Sequence, residues 1–193
     1  MKLYYSPKAC SLADHIALQE AGAKFELERV NPATKRTASG RDFNDINPKG
    51  CVPVIEMDDG SLLTENVAIL DWIAAQFPKL GVPGEMGRTR LIEALTFIST
   101  ELHHSFRHLL DAKSEEEEAQ AKAGIRIRFR WISGTFKGHY LFDDHPSVAD
   151  FYLFVMLLWA ERFDVNVPTR LTTFKELMRS RAAVSVALAV EAA

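Results

Sequence analysis

Three short segments of this chain carry residue types that could do chemistry, each at a point where a secondary-structure element would begin. Cys10 follows the strand-like run KLYY and directly precedes an amphipathic stretch. At a helix N-terminus, amides without partners and the helix dipole favour a thiolate over a thiol, so Cys10 reads as a reactive cysteine. It reads equally as a small buried hydrophobe. Val52-Pro53 opens a second strand-like run after Asn47-Pro48-Lys49-Gly50. A cis proline there would leave the backbone of Val52 free to pair with an extended peptide; an ordinary strand-start proline is the alternative. Thr64-Glu65-Asn66 places a carboxylate and an amide at a helix start. Free backbone amides would hold a ligand carboxylate there while Glu65 pairs with an ammonium, the two charges of one amino-acid head group. Plain capping by Thr64 or Asn66 competes with that reading.

Farther on, Thr96, Ser99, His103 and Arg107 recur at three- and four-residue steps, a polar stripe beside an apolar helix face. It is the solvated edge of an amphipathic helix unless a cleft opens beside it. His104 and His108 are four apart and could ligate a metal, but no carboxylate or cysteine pattern joins them, and no metal is expected. Cys10 and Cys51 are the only cysteines, too few for a disulfide framework and without zinc-site spacing, so either would act as a thiol.

The elements that must position these residues fall into two groups. KLYY, an amphipathic stretch from Ser11 to Ala21 ending at Gly22, and FELERV form a βαβ opening. After a polar stretch from Asn31 to Asn47, VPVIEM and SLLT are joined by Asp58-Asp59-Gly60 into an antiparallel hairpin, followed by a helix from Glu65 to Phe77. The order β-α-β then β-β-α is that of a thioredoxin-like domain, residues 1–78, in which a proline at the position of Pro53 is often cis. The Gly- and Pro-rich residues 79–87 read as a linker, and residues 88–193 as an all-helical domain. Leu91, Leu95, Ile98, Leu102 and Leu109 share one face of a long helix. Ser114 caps a helix whose acidic start, Glu115 to Glu118, suits the positive end of the dipole. Ser147 and Asp150 form a capping pair ahead of an almost wholly apolar helix that must be the buried centre of this half.

At 193 residues and 47% hydrophobic content, the chain can bury a sizeable core. A net charge of -3 offers no basic field for nucleic acid or an anionic membrane. The N-terminus lacks a signal-like apolar stretch, and the longest apolar run, Phe151 to Ala160, is too short to span a bilayer, so a cytoplasmic protein is expected.

Four blocks together resemble the cytosolic glutathione transferases, most closely the bacterial beta class: MKLYYSPKACSLADHIAL, NPKGCVPVIEMDDGSLLTENVAIL, STELHHSF and HPSVADFYLF. The resemblance implies a homodimeric detoxification enzyme that conjugates reduced glutathione to small hydrophobic electrophiles, with no further cofactor. It places Cys10 beside the glutathione sulfur and the Val52 backbone, ahead of Pro53, against the cysteinyl backbone. Glu65 and Asn66 would hold the γ-glutamyl end, and Lys35 would face the glycyl carboxylate. Thr96, Ser99, Thr100 and His103 would reach toward glutathione from the helical domain, some of them across a dimer, with His103 donating a hydrogen bond to the sulfur. Tyr5 matches a position near the end of the first strand. Cys51 stands where the family usually has glutamine, which puts a second thiol near the first and makes a redox role conceivable. Two other functions stay open: thiol-disulfide transfer with Cys10 as nucleophile, and a non-catalytic binding protein. Holding a sulfur as thiolate by lowering its pKa about two units needs roughly 2.7 kcal/mol, within reach of a helix N-terminus and two hydrogen bonds.

Overall fold

A computed structural model describes residues 1–192. The first strand, β1 (Lys2–Tyr5), buries Leu3, Tyr4 and Tyr5 in succession, so both its faces are covered and it sits inside a four-stranded sheet ordered β2-β1-β3-β4. Its neighbours are β2 (Glu26–Arg29), parallel, and β3 (Val54–Glu56), antiparallel; β4 (Leu62–Thr64) pairs antiparallel with β3. Leu3 lies opposite Leu27 on one side and Ile55 on the other, so one apolar row crosses the sheet. The crossover from β1 to β2 is α1 (Leu12–Ala21), which stops where Gly22 takes a left-handed φ of 70°. The β3–β4 turn is closed by Met57 and Ser61, with Asp59 accepting from the Ser61 amide at 2.9 Å.

One expected helix start shifts, and one expected loop holds local structure. The helix after the hairpin, α2 (Asn66–Gln76), begins one residue after Glu65, because Glu65 itself adopts φ 75° and lies outside the helical turn. The polar stretch after β2 holds the isolated bridges Val30–Thr37 and Arg36–Asp42 and a 3-10 turn at Phe43–Asp45. Phe43 is fully buried there and packs on Tyr4 at 5.8 Å.

After a 3-10 turn at Pro78–Leu80 the chain crosses into helices only: α3 (Gly87–Phe97), α4 (His104–Asp111), α5 (Glu115–Ser133), α6 (Val148–Arg162), α7 (Thr169–Arg179) and α8 (Ala182–Ala192). Gly87 is needed where α3 starts, since a Cβ there would lie 2.0 Å from the Val82 carbonyl oxygen. The α/β half followed by an all-helical half is the expected fold class. One long helix was expected from Arg88 past Leu109. Instead α3 and α4 are joined by a π-helical turn, Ile98–His103. Such a turn takes an extra residue, so positions after it rotate relative to those before.

As its composition requires, α6 is the buried centre: Phe151 to Met156 are fully inaccessible. Its start is fixed by Asp150, whose carboxylate accepts from the Leu141 amide at 2.9 Å, the Ser147 amide at 2.8 Å and the Ser147 hydroxyl at 2.7 Å. The Ser114 hydroxyl likewise accepts from the Glu117 amide at 3.2 Å at the start of α5. One continuous apolar core runs from Leu3 and Ile55 of the sheet through α1 to α6 and α8. Both halves therefore share a core, and α1 is the wedge between them. The pair Arg181–Glu20 ties the start of α8 to the end of α1. Among the described residues no helix is long and apolar enough to cross a membrane.

Candidate active site

A cavity of about 240 Å³ opens where the loop after β1, the loop before β3, the start of α2 and the π-helical turn meet. Its lining includes Cys10, Cys51, Val52, Pro53, Glu65, Asn66, Ser99 and His103, all of which carry expectations from the sequence. The Val52-Pro53 peptide bond is cis. The Cys10 thiol donates to the Val52 carbonyl at 3.8 Å, so the two segments touch.

Lys35, Tyr5, Thr96 and Thr100 lie outside this lining. Lys35 is one layer behind it, its ammonium donating to the Gly50 carbonyl at 2.8 Å, next to Cys51. Gly50 makes that approach possible: its φ is 64°, and a Cβ would press on Asn44 at 3.1 Å and Lys35 at 3.5 Å. Tyr5 is buried in the core beside His15, with ring centroids 6.1 Å apart. Thr96 and Thr100 are exposed, and the Thr100 hydroxyl is occupied by the Thr96 carbonyl at 3.0 Å. The polar stripe is thus divided, with only Ser99 and His103 turned into the cavity. Arg107, its last member, pairs with Asp111 at 3.1 Å.

Three further polar residues in the cavity carry no site expectation from the sequence. Lys49 donates to Glu65 at 2.5 Å and to Thr64 at 2.7 Å, and Asn47 holds the loop by donating to the Cys51 carbonyl at 2.8 Å. The Asn-Pro-Lys-Gly turn ahead of Val52 was the available signal for both. Tyr152, from the buried face of α6, brings its hydroxyl within 2.6 Å of His103 Nδ1. Nothing local distinguishes it from the aromatic core residues around it.

The electrostatics of the site follow from burial. Cys10 is partly exposed as a residue, yet protein encloses its thiol. Desolvation first, and the Asp14 carboxyl one turn along α1 second, push it up to about 12. Backbone hydrogen bonds at Cys10 and Ser11 act in the other direction and lose. The thiolate expected from the helix-start position is therefore not what the surroundings favour: Cys10 stays protonated. Asp14 is itself fully buried without a hydrogen-bond partner, and desolvation holds its carboxyl well above the usual range. His103 is pushed down to about 4, by burial first and by neighbouring His104 second, so it is neutral at neutral pH. Burial also raises the Tyr152 hydroxyl, which stays protonated. Asn66 is 8% exposed, and neither polar atom of its side chain has a partner. A buried amide left unpaired costs stability unless something else completes it.

The comparisons with known proteins bear on the whole chain. The family model described as Glutathione S-transferase, N-terminal domain, matches residues 9–76, and that described as Glutathione S-transferase, C-terminal domain, matches residues 89–185. The chain belongs to the glutathione S-transferase family. Glutathione S-transferase GstA of Escherichia coli O157:H7 is 37% identical over 99% of this chain and 98% of its own. A sphingomonad glutathione S-transferase solved in complex with glutathione superposes with a TM-score of 0.91 at 38% identity, covering 100% of this chain and 99% of that one. The beta-class glutathione S-transferase of Sphingomonas chungbukensis superposes at 0.88 with 37% identity, over 99% and 98%. The resemblance to the bacterial beta class thus extends from four motifs to the full fold.

A second cavity, of about 350 Å³ and mostly apolar, is lined by Lys8, Leu12, Val155, Leu158, Trp159 and Leu188 among others. Trp159 joins the two regions. Its ring packs edge-on to His103 at 4.9 Å, and its indole N–H donates to the Lys8 carbonyl at 2.9 Å. His104 and His108 meet edge to face at 4.7 Å outside both cavities, and among the described residues no group of three or more His, Cys, Asp or Glu could hold a metal ion.

Proposed function

We propose that this chain is a glutathione transferase that binds reduced glutathione in the Cys10–Val52–Glu65–His103 cavity and passes its sulfur to small apolar electrophiles. The observation that carries the reading is the unpartnered, buried Asn66 amide in a cavity that also holds Cys10, the cis Val52-Pro53 bond, Glu65 and His103. The γ-glutamyl ammonium pairs with Glu65, and its carboxylate takes the first amides of α2 and the Asn66 side chain. The cysteinyl backbone runs along Val52, and the glycyl carboxylate faces Lys35, which lies one layer behind the lining.

The sulfur then sits between Cys10 and His103. A protonated Cys10 gives up its long contact with Val52 and donates to the glutathione thiolate, lowering that thiol's pKa rather than its own. His103 Nδ1 and the Tyr152 hydroxyl lie 2.6 Å apart; we assign the hydroxyl as donor, which leaves the neutral imidazole its proton on Nε2 as a second donor for the sulfur. In conjugation the thiolate attacks an electrophilic carbon, a carbon–sulfur bond forms, and the leaving group departs with its electron pair. The apolar cavity beside Trp159 is our choice for the electrophile. The buried, protonated thiol argues against the alternative in which Cys10 is the nucleophile of a disulfide transfer.

We further assign a homodimer in the cytoplasm, where the glutathione pool is kept reduced. Ile92, Ile127 and Trp131, all exposed on α3 and α5, supply an apolar face for it. Thr96, exposed on α3, and Thr100, exposed on the π-helical turn, serve glutathione only across such a dimer.

The test compares wild type with Cys10→Ala in aryl-halide conjugation and in mixed-disulfide reduction. Retained binding to immobilised glutathione with a moderate loss of conjugation is expected. A wild-type protein that neither binds glutathione nor turns over in either assay ends the proposal, and a variant losing only disulfide reduction restores Cys10 as nucleophile.

A further inference from the structure

The glutathione cavity holds two thiols in opposite situations. Cys10 is at the back, enclosed and donating to Val52, whereas Cys51 is exposed at the mouth, its thiol donating to the Lys49 carbonyl at 3.3 Å. Both line the same space as the unpartnered Asn66 amide, which is more than nine-tenths buried. The Lys35 ammonium is bound to the carbonyl of Gly50, the residue before Cys51, and the Lys49 ammonium lies beside Glu65. With Lys49 offset by its Glu65 partner, the Lys35 charge held beside Gly50 draws the carboxylates of a glutathionyl group toward the Cys51 sulfur. At about 240 Å³ the cavity falls below the range of ~300–1,000 Å³ common for ligand pockets, so a molecule built of two glutathionyl halves leaves one of them at the mouth.

We propose that Cys51 is a modification site: glutathione disulfide docks one half in the cavity and transfers a glutathionyl group to Cys51, and the adduct blocks the entry of reduced glutathione. This rests on the reading that the cavity takes glutathione. The Cys51 thiolate attacks one sulfur of glutathione disulfide, the disulfide bond of the ligand breaks, and a Cys51–glutathione disulfide forms. The other half leaves as glutathione thiolate with the bonding electron pair and takes up the proton that Cys51 lost. Cys51 is oxidised to the disulfide level and one glutathione is released reduced; excess reduced glutathione runs the step backwards. Cys10 is spared because burial holds it as a thiol, and the thiolate is the attacking species. The enzyme would then be throttled when the glutathione pool is oxidised and released when it recovers.

The full-length protein, Cys10→Ser and Cys51→Ser are incubated with glutathione disulfide, and intact mass, peptide mapping and conjugating activity before and after treatment are read for each. Wild type and Cys10→Ser are expected to gain one glutathionyl group, mapped to Cys51, and wild type to lose most of its activity until dithiothreitol restores it. Cys51→Ser should gain none and keep the activity it had before treatment. An adduct on Cys10, an internal Cys10–Cys51 disulfide seen as a loss of two hydrogens, or an unmodified protein that still conjugates glutathione overturns the proposal and leaves the transferase reading standing. A protein that fails to bind reduced glutathione by calorimetry removes both.

Discussion

Replacing His103 with glutamine should flatten one component of the pH dependence of stability. In the fold His103 is pushed from 6.5 down to about 4, first by burial and then by His104. With its folded pKa depressed, the native state refuses a proton that the unfolded chain accepts. The favourable term is therefore fully present above the unfolded pKa and is lost as pH falls through the mid-sixes toward about 4. At 1.36 kcal/mol per pKa unit, the whole window amounts to about 3 kcal/mol. Roughly 2 kcal/mol of it disappears between about pH 7.5 and about pH 5. Glutamine can still accept from the Tyr152 hydroxyl, so the variant carries a pH-independent offset but no titration at this position. Urea unfolding followed by tryptophan fluorescence across that range would give both curves. Wild type should lose about 2 kcal/mol more than the variant on acidification. Parallel curves would refute the argument, meaning either that His103 titrates normally or that its burial is not what holds it neutral.

Other consequences are equally direct. Glu65→Gln should raise KM for glutathione about tenfold with kcat little changed, the lower end for a charged hydrogen bond because Glu65 is exposed; steady-state kinetics decide, and a fall in kcat alone would place Glu65 elsewhere. Asp150→Ala strands three buried donors near the start of α6 and should cost about 3–5 kcal/mol, lowering Tm by roughly 10 °C in calorimetry. Gly87→Ala drives a methyl into the Val82 backbone and should cost about 1–3 kcal/mol in urea unfolding, with glutathione affinity preserved in the folded fraction.

Much of the architecture is legible from local physics. The strand-like run KLYY, the helix stop at Gly22, the Asp58-Asp59-Gly60 turn and the Ser147/Asp150 pair each act within a few residues of chain, and the structure has an element or turn at every one of them. The same holds for the residues that gather in the cavity. Cys10, Val52, Pro53, Glu65, Asn66, Ser99 and His103 are identified by position relative to element starts and by motif, both one-dimensional properties. What the sequence could not decide is where a side chain's surroundings come from. The Cys10 thiol begins a helix and by that rule should ionise, yet the protein packed around it and the Asp14 carboxyl keep it protonated. Tyr152 looks like one more core aromatic until α6 brings it to His103, and Thr96, ahead of the π-helical turn, stays exposed while Ser99 and His103 within the turn line the cavity. The spacing of residues fixes which groups meet, but desolvation depends on every atom within a few ångströms, and most of those arrive from distant parts of the chain. That is why Cys10 is visible as a candidate from its neighbours in sequence, while the protonated state of its thiol emerges only from the packed fold.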